Sequence, residues 1–342
     1  MPYDPPAPGA RTGLSPVAYR RITLVALTSL AVIVVTGAAV RLTGSGLGCS
    51  DWPTCEQGQL APADLRDAPA MVEFVNRTIT GVVSVAVILA VLGSLVRRPR
   101  RRDLTRLSVG LVVGVLAQIV LGGLVVLLDL SPRLVMAHFA LSMVIVWNAV
   151  VLHHRAGLPD LDDPAPMAPL PSGSPAAAWR PGAARRLDRL TRGVVAAAAV
   201  VVLTGTVVTA AGPHAGDEQA SRLDLPVADV ARVHGIAVLV LLAVVLAAAH
   251  VVRAPGAPVE RREQVARLLW VLVAQAAVGY TQYFTDVPPL LVGIHICGAL
   301  AVWIGAVQLR LESALPRAAG SRRPDAPYRA PDGADLSAVG PA

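Results

Sequence analysis

The chain has 342 residues, of which 54% are hydrophobic and only 15% charged, with a mean hydropathy of +0.58. A soluble domain carries roughly a quarter charged residues, so the composition argues against a water-soluble globular fold. The formal charge of +7 comes from 30 basic residues, all of them arginine. They stand at the ends of long apolar blocks and form no basic face, which excludes a nucleic-acid partner.

Residues 1–21 are rich in Pro, Gly and Arg and are expected to be a disordered tail. Eight apolar blocks follow, predicted as transmembrane helices at Ile22–Val40, Val72–Val96, Leu107–Leu128, Leu134–Leu152, Val194–Ala211, Val230–Val252, Leu268–Phe284 and Leu290–Leu309. A helix needs about 20 residues to cross roughly 30 Å of hydrocarbon. The seventh block is the shortest in apolar run and carries Tyr280, Gln282 and Tyr283. The first runs the full bilayer length and is read as a retained span, not a cleaved leader. A Pro- and Ala-rich linker, 156–188, separates two halves, 22–155 and 189–310, and a second disordered tail covers 311–342.

Arginine placement orients the spans. The N-tail, the Arg97–Arg106 loop, the Arg155–Arg192 segment, the Arg253–Arg267 loop and the C-tail hold 24 of the 30 arginines. That side is expected to be cytoplasmic, with both termini inside a bacterial-type cell membrane and the loop containing Cys49 and Cys55 outside.

The two halves resemble each other. Shifting Ala117–His138 by 157 places Ala117, Gln118, Gly122, Asp129, Pro132, Leu134, Val135 and His138 on Ala274, Gln275, Gly279, Asp286, Pro289, Leu291, Val292 and His295. The Gln, Asp, Pro and His matches are the informative ones, since Val and Leu recur cheaply in apolar sequence. More weakly, Thr36-Gly37 matches Thr204-Gly205, and the Asn76 region matches the His234 region. A repeat of four spans is even, so both copies share one orientation about an axis along the membrane normal. The fold class that follows is an all-α membrane protein, eight transmembrane helices arranged as two repeat-related four-helix bundles.

Of the seven histidines, His153, His154 and His250 stand at cytoplasmic helix ends and His214 in an outer loop, ordinary interfacial places. His138, His234 and His295 each lie about five residues into an even-numbered span, roughly 8 Å deep at 1.5 Å per residue. Ionisable groups within spans are costly and mark function. Three at one depth, two of them repeat mates, point to metal or haem ligation, because two imidazoles from facing helices can hold a haem iron from both sides.

At these residues the chain resembles the haem A synthase family. The run Arg41-Leu-Thr-Gly-Ser-Gly-Leu-Gly-Cys49-Ser-Asp-Trp-Pro-Thr-Cys55 is similar to that family's first outer loop. Glu73-Phe-Val-Asn76-Arg77 is similar to its Glu-x-x-His-Arg motif except at Asn76. The resemblance implies oxidation of a methyl group of haem O to the formyl group of haem A by successive hydroxylations. It implies a haem b cofactor on His234 and His295 in the C-terminal half, and haem O as substrate in the N-terminal half facing His138 and the Asn76 position. Glu73 would be the catalytic carboxylate, and the Cys49–Cys55 pair, on a side that permits disulfides, would aid activity structurally or as a redox relay. A haem O synthase and an electron acceptor are the implied partners, with the lipid bilayer as surroundings.

Asn76 departs from the family pattern. An amide is a poor iron ligand, so His138 is left as the one strong ligand of that site. Glu73 and Asn76 are i and i+3 on one helix face, and the shift of 158 that takes Asn76 to His234 takes Glu73 to Ala231. A carboxylate beside one site only marks the N-terminal half as reactive, where it could act as a base or proton relay; alternatively it is an interfacial partner of Arg77. Cys297 is expected to be a small apolar core residue. The competing reading is a non-catalytic membrane cytochrome b that transfers electrons; across the bilayer it would need ligands at two depths. A repeat-built transporter would need broken helices and midplane charges, and the sequence has neither.

Overall fold

The computed structural model describes residues 13–56, 58–160, 179 and 181–314. They form eight helices: α1 (Pro16–Leu42), α2 (Ala68–Val96), α3 (Arg102–Leu127), α4 (Pro132–Ala156), α5 (Pro181–Ala211), α6 (Val227–Val252), α7 (Val259–Phe284) and α8 (Pro289–Ser313). The tail and linker expectations fall largely on 1–12, 161–178 and 315–342, which lie outside the described residues.

Several helices outrun their apolar blocks at the arginine-rich end. α1 starts at Pro16, capped by the Ser15 hydroxyl, which accepts from the Ala18 N–H at 3.2 Å. α5 starts at Pro181 and α7 at Val259, inside segments read as linker and loop. Hydropathy marks the hydrocarbon slab, whereas a helix continues as long as its N–H groups are capped and its arginines can reach water along their apolar stems.

Seven helices are long and apolar enough to cross a membrane, and the chain is a multi-pass membrane protein. α7 has the 26 residues of α3 and α6, but Gln275, Tyr280, Gln282 and Tyr283 dilute its apolar run. Large apolar side chains such as Val82, Val85, Leu89 and Leu92 of α2 stay on the outer surface, the arrangement expected where lipid replaces water. Cys297, expected in the core, is exposed on α8. In a membrane helix apolarity does not tell the core face from the lipid face.

Each half closes into a ring. α1 packs on α2 and α4, and α3 completes the ring between them; α5, α6, α7 and α8 repeat the pattern. The halves meet where α4 touches α8, α1 touches α8 and α4 touches α5. Exchanging α1 with α5, α2 with α6, α3 with α7 and α4 with α8 leaves this set of packed pairs unchanged, consistent with two four-helix bundles about one two-fold axis. The diagonal pairs, α2 with α4 and α6 with α8, do not meet through their backbones among the described residues. Each bundle therefore has a slot that side chains or a ligand must fill.

Polar contacts cross the seam between the halves, among them the Gly46 N–H on the Gly216 carbonyl at 2.9 Å. Trp303 donates its indole N–H to the Met143 carbonyl at 2.9 Å. Near the Cys49 end, Arg41 donates to the carbonyls of His214 at 2.6 Å and Thr209 at 2.9 Å.

The connection from α3 to α4 recurs between α7 and α8. Asp129 and Leu130 have φ of 49° and 54°; their mates Asp286 and Val287 have 56° and 57°. Leu130 N–H donates to the Val125 carbonyl at 2.9 Å, and Val287 N–H to the Gln282 carbonyl at 2.8 Å. Two left-handed residues close the turn that lets Pro132 and Pro289 begin the next helix. A β-branched side chain is strained there, by roughly 1–2 kcal/mol. Val287→Gly should therefore raise the midpoint of thermal unfolding in detergent by the equivalent of about 1 kcal/mol; a lowered midpoint would mean that the valine's packing outweighs the strain.

Candidate functional site

His138, His234 and His295 stand near the starts of α4, α6 and α8, at the end of the bundle where the Cys49 loop lies. The diagonal slot of the second half brings two of them together. The His234 and His295 rings face each other with centroids 6.4 Å apart and planes 72° apart. Both are partly buried. Each leans on a glycine of the preceding helix: a Cβ at Gly205 would come within 3.2 Å of His234 Cε1, and one at Gly279 within 3.4 Å of His295 Cε1. His138 has the same seat against Gly122, at 3.2 Å. Small residues on odd-numbered helices thus make room for imidazoles on even-numbered ones.

The hydrogen bonds are unequal. Thr204 Oγ1 lies 3.1 Å from His234 Nδ1. The Nδ1 atoms of His138 and His295 are buried with no hydrogen-bond partner. Gln118 donates to the His138 carbonyl at 3.0 Å and also bonds the Ser142 hydroxyl, which ties α3 to α4 below the ring. Among the described residues no three His, Cys, Asp or Glu side chains cluster as a metal site. The largest ligand set is a pair, which suits a metal whose other ligands come from outside the protein.

The pair fits haem iron. Two metal–nitrogen bonds of about 2 Å plus two ring radii of about 1 Å come to roughly 6 Å between centroids, close to the 6.4 Å here. The open diagonal between α6 and α8 is where a flat macrocycle would lie. Asn76, in α2, occupies the place that His234 has in α6, and its Oδ1 accepts from Thr36 Oγ1 at 2.8 Å. That bond matches Thr204 to His234.

Glu73 is built into a different structure. It is 5% exposed. One carboxylate oxygen accepts from the Cys49 N–H at 2.8 Å; the other takes Arg77 Nε at 3.1 Å and Nη2 at 2.5 Å. Arg77 also donates to the carbonyls of Asp51 at 3.0 Å and Thr54 at 2.8 Å. Cys49 and Cys55 form a disulfide with Cα atoms 4.4 Å apart. Gly48 lies so close to the start of α2 that a Cβ would fall 2.5 Å from the Pro69 carbonyl. Glu73 and Arg77, one helical turn apart, therefore staple the disulfide loop to α2. The same loop lays Trp52 on Gly123, where a Cβ would come within 2.6 Å of the indole. Trp52 thus roofs the helix position next to the one that seats His138.

The histidines, the cysteines and the Glu73–Arg77 pair are conspicuous in the sequence, whereas Thr36, Thr204, Trp52 and the glycines take their roles only from the structure. The Thr-Gly repeats carried a signal of them, since a threonine and a glycine at the same place in two apolar helices are both unusual choices.

A profile described as COX15-CtaA, cytochrome oxidase assembly protein, matches residues 20–216. The chain belongs to this family. Curated relatives named haem A synthase are also similar to it. That of Listeria welshimeri is 30% identical over 132 residues, covering 38% of this chain and 42% of the relative. That of Exiguobacterium sibiricum is 29% identical over 125 residues, 36% and 41% of the two chains. That of Lysinibacillus sphaericus is 29% identical over 120 residues, 35% and 38%. The matched segment thus spans about two-fifths of the length of these relatives. The family match holds Cys49, Cys55, Glu73, Asn76 and His138; His234 and His295 lie beyond it and are tied to the first half by the internal repeat.

The staple makes an expectation for the loop. Arg77→Leu leaves the Glu73 carboxylate buried with its charge partner gone, a loss on the order of 3 kcal/mol. The Cys49–Cys55 bond should then be reduced by a mild thiol under conditions in which the unaltered chain resists, as measured by thiol labelling. Equal resistance in both proteins would show that the loop holds itself.

Proposed function

We propose that this chain is a haem A synthase, oxidising a methyl group of haem O to the formyl group of haem A by successive hydroxylations. The observation that supports it most is the facing His234–His295 pair, at haem-spanning separation, in a chain of the COX15-CtaA family. In this reading His234 and His295 hold haem b in the second half. That cofactor supplies one-electron transfer, carrying electrons from the reaction towards an acceptor. The substrate, haem O from a haem O synthase, sits in the first half against His138 and the Asn76 side.

The chain's own residues then divide the work. His138, seated on Gly122 and tied to α3 through Gln118, fixes the substrate iron from one side. The disulfide loop, with Trp52 on Gly123, covers the end of α3 beside it and keeps the reacting edge from bulk water. Converting a methyl to a formyl with electrons passed to an acceptor takes one oxygen atom from water and releases four electrons and four protons, so a proton acceptor is needed near the substituent. Glu73 is the carboxylate of this half, and Ala231 stands at its place in the other. Its bonds to Arg77 and the Cys49 N–H hold it in one position, and a positioned carboxylate typically contributes 10²–10⁴-fold to proton transfer. The arginine-rich side is taken as cytoplasmic, which puts both termini inside and the haem sites near the outer face.

Two variants test the reading. His295→Ala should lose the low-spin haem b spectrum from the purified protein; its undiminished persistence would overturn the ligand assignment. Glu73→Gln should retain haem b and the Cys49–Cys55 disulfide while haem A output collapses and haem O or a hydroxylated intermediate accumulates. Normal haem A output from that variant would leave Glu73 with the loop staple as its whole role. Absence of haem A from cells making the unaltered chain and haem O would instead favour a non-catalytic cytochrome b.

A further inference from the structure

The two halves present the same seat with different occupants. In α5 the seat is Thr204-Gly205 and the occupant is His234: the threonine hydroxyl meets Nδ1 at 3.1 Å, and Gly205 underlies Cε1. In α1 the seat is Thr36-Gly37 and the occupant is Asn76. The threonine hydroxyl again meets the near polar atom, Oδ1, at 2.8 Å. Beyond that atom the halves part. A Cβ on Gly205 would come within 3.2 Å of the imidazole, whereas a Cβ on Gly37 would meet nothing within 4 Å. The amide ends where the far half of an imidazole would begin.

We propose that this gap beside Asn76 and Gly37 is a binding seat for a small neutral donor, imidazole-sized or smaller, on the open face of the haem in the first half. The proposal rests on the reading of that half as a haem site. His138 is then the one protein ligand of that haem, and the Asn76 face exchanges its occupant with solvent. The donor set fits this division. With Oδ1 accepting from Thr36, the amide keeps Nδ2 as a donor for a ligand that retains a lone pair, such as water, and a donor does not compete for iron; an imidazole, whose second nitrogen carries a hydrogen, is held there by fit alone. In the second half both faces are taken by the chain's own imidazoles, so no external ligand is admitted. Sequence divergence at one position has separated an exchangeable site from a closed one on a shared backbone.

The test uses the full chain, purified in detergent and supplied with haem b to fill both halves. Haem per chain is counted by the pyridine haemochromogen assay, and the ferric optical and EPR spectra are followed as imidazole is added. The unaltered chain should show a high-spin fraction, absent from His138→Ala, that imidazole converts to low spin. Asn76→His should be low spin from the outset and lose the imidazole response while keeping both haems. Asn76→Ala, which enlarges the gap, should keep the response and serves if Asn76→His does not fold. A first half that holds haem but is fully low spin without imidazole overturns the seat alone. So does a response undiminished in Asn76→His. A first half that takes up no haem overturns the haem reading, and the seat with it.

Discussion

A polar ring enclosed among apolar helices is tolerated only where its nitrogens find partners, and this constraint organises the whole membrane region. Lipid offers no hydrogen bonds, so an unpaired buried nitrogen costs about 1–3 kcal/mol or more. Here the backbone satisfies itself in helices, most hydroxyls bond back to their own helix, and Tyr19 meets Ser108 at 2.9 Å. The Nδ1 atoms of His138 and His295 stand outside that economy. They sit in slots that the diagonal helices leave open, each ring edge against a glycine of the preceding helix, where an added Cβ would come within 3.2 Å of His138 and 3.4 Å of His295. A bundle that leaves room for a ring on one helix by emptying the facing position on another is arranged around something other than its own packing.

A two-fold arrangement of the packed pairs is a way for one chain to build two such slots and furnish them differently. The packing pairs, the left-handed turns at Asp129-Leu130 and Asp286-Val287, and the Thr-Gly seats are shared. What differs is added on top. The first half has the disulfide loop, Glu73 and Arg77; at the places of Glu73 and Arg77 the second has Ala231 and Gly235. Gly123, which admits Trp52, is replaced by Tyr280, an exposed aromatic at the surface. Asn76 stands where His234 does. At the place of His234 the first half has the shorter Asn76, and at its rim it carries the disulfide loop with Trp52 on Gly123, whereas in the second half two imidazoles face each other.

The sequence carried most of this because its informative residues are rare in their surroundings. A histidine, glutamine or aspartate within an apolar block is conspicuous, so the repeat over 117–138 and the three histidines could be read directly. Helix ends were less legible. Hydropathy falls where the lipid ends, and α1, α5 and α7 go on past it with arginines reaching into water. The exposed position of Cys297 was illegible for a related reason, since the core and outer faces of a membrane helix use one apolar alphabet. The glycines beneath the rings gave no local signal, because glycine is common in membrane helices; their meaning lies in which ring approaches them.

Glu73 shows why a pattern alone could not divide structure from chemistry. Its spacing from Asn76 placed it on the face of the site, and its spacing from Arg77 placed it in an ion pair; both are helical neighbours, and nothing in the sequence ranks them. The structure adds the third partner, the Cys49 N–H at 2.8 Å. One carboxylate now joins α2, the arginine that holds the loop carbonyls, and the backbone of a disulfide cysteine. Reducing that disulfide would free the Cys49 backbone and loosen one of the contacts that fix the carboxylate. On the proposed reading of Glu73 as the proton acceptor, the redox state of the loop would alter the hold on that carboxylate without any residue of the loop being the acceptor itself.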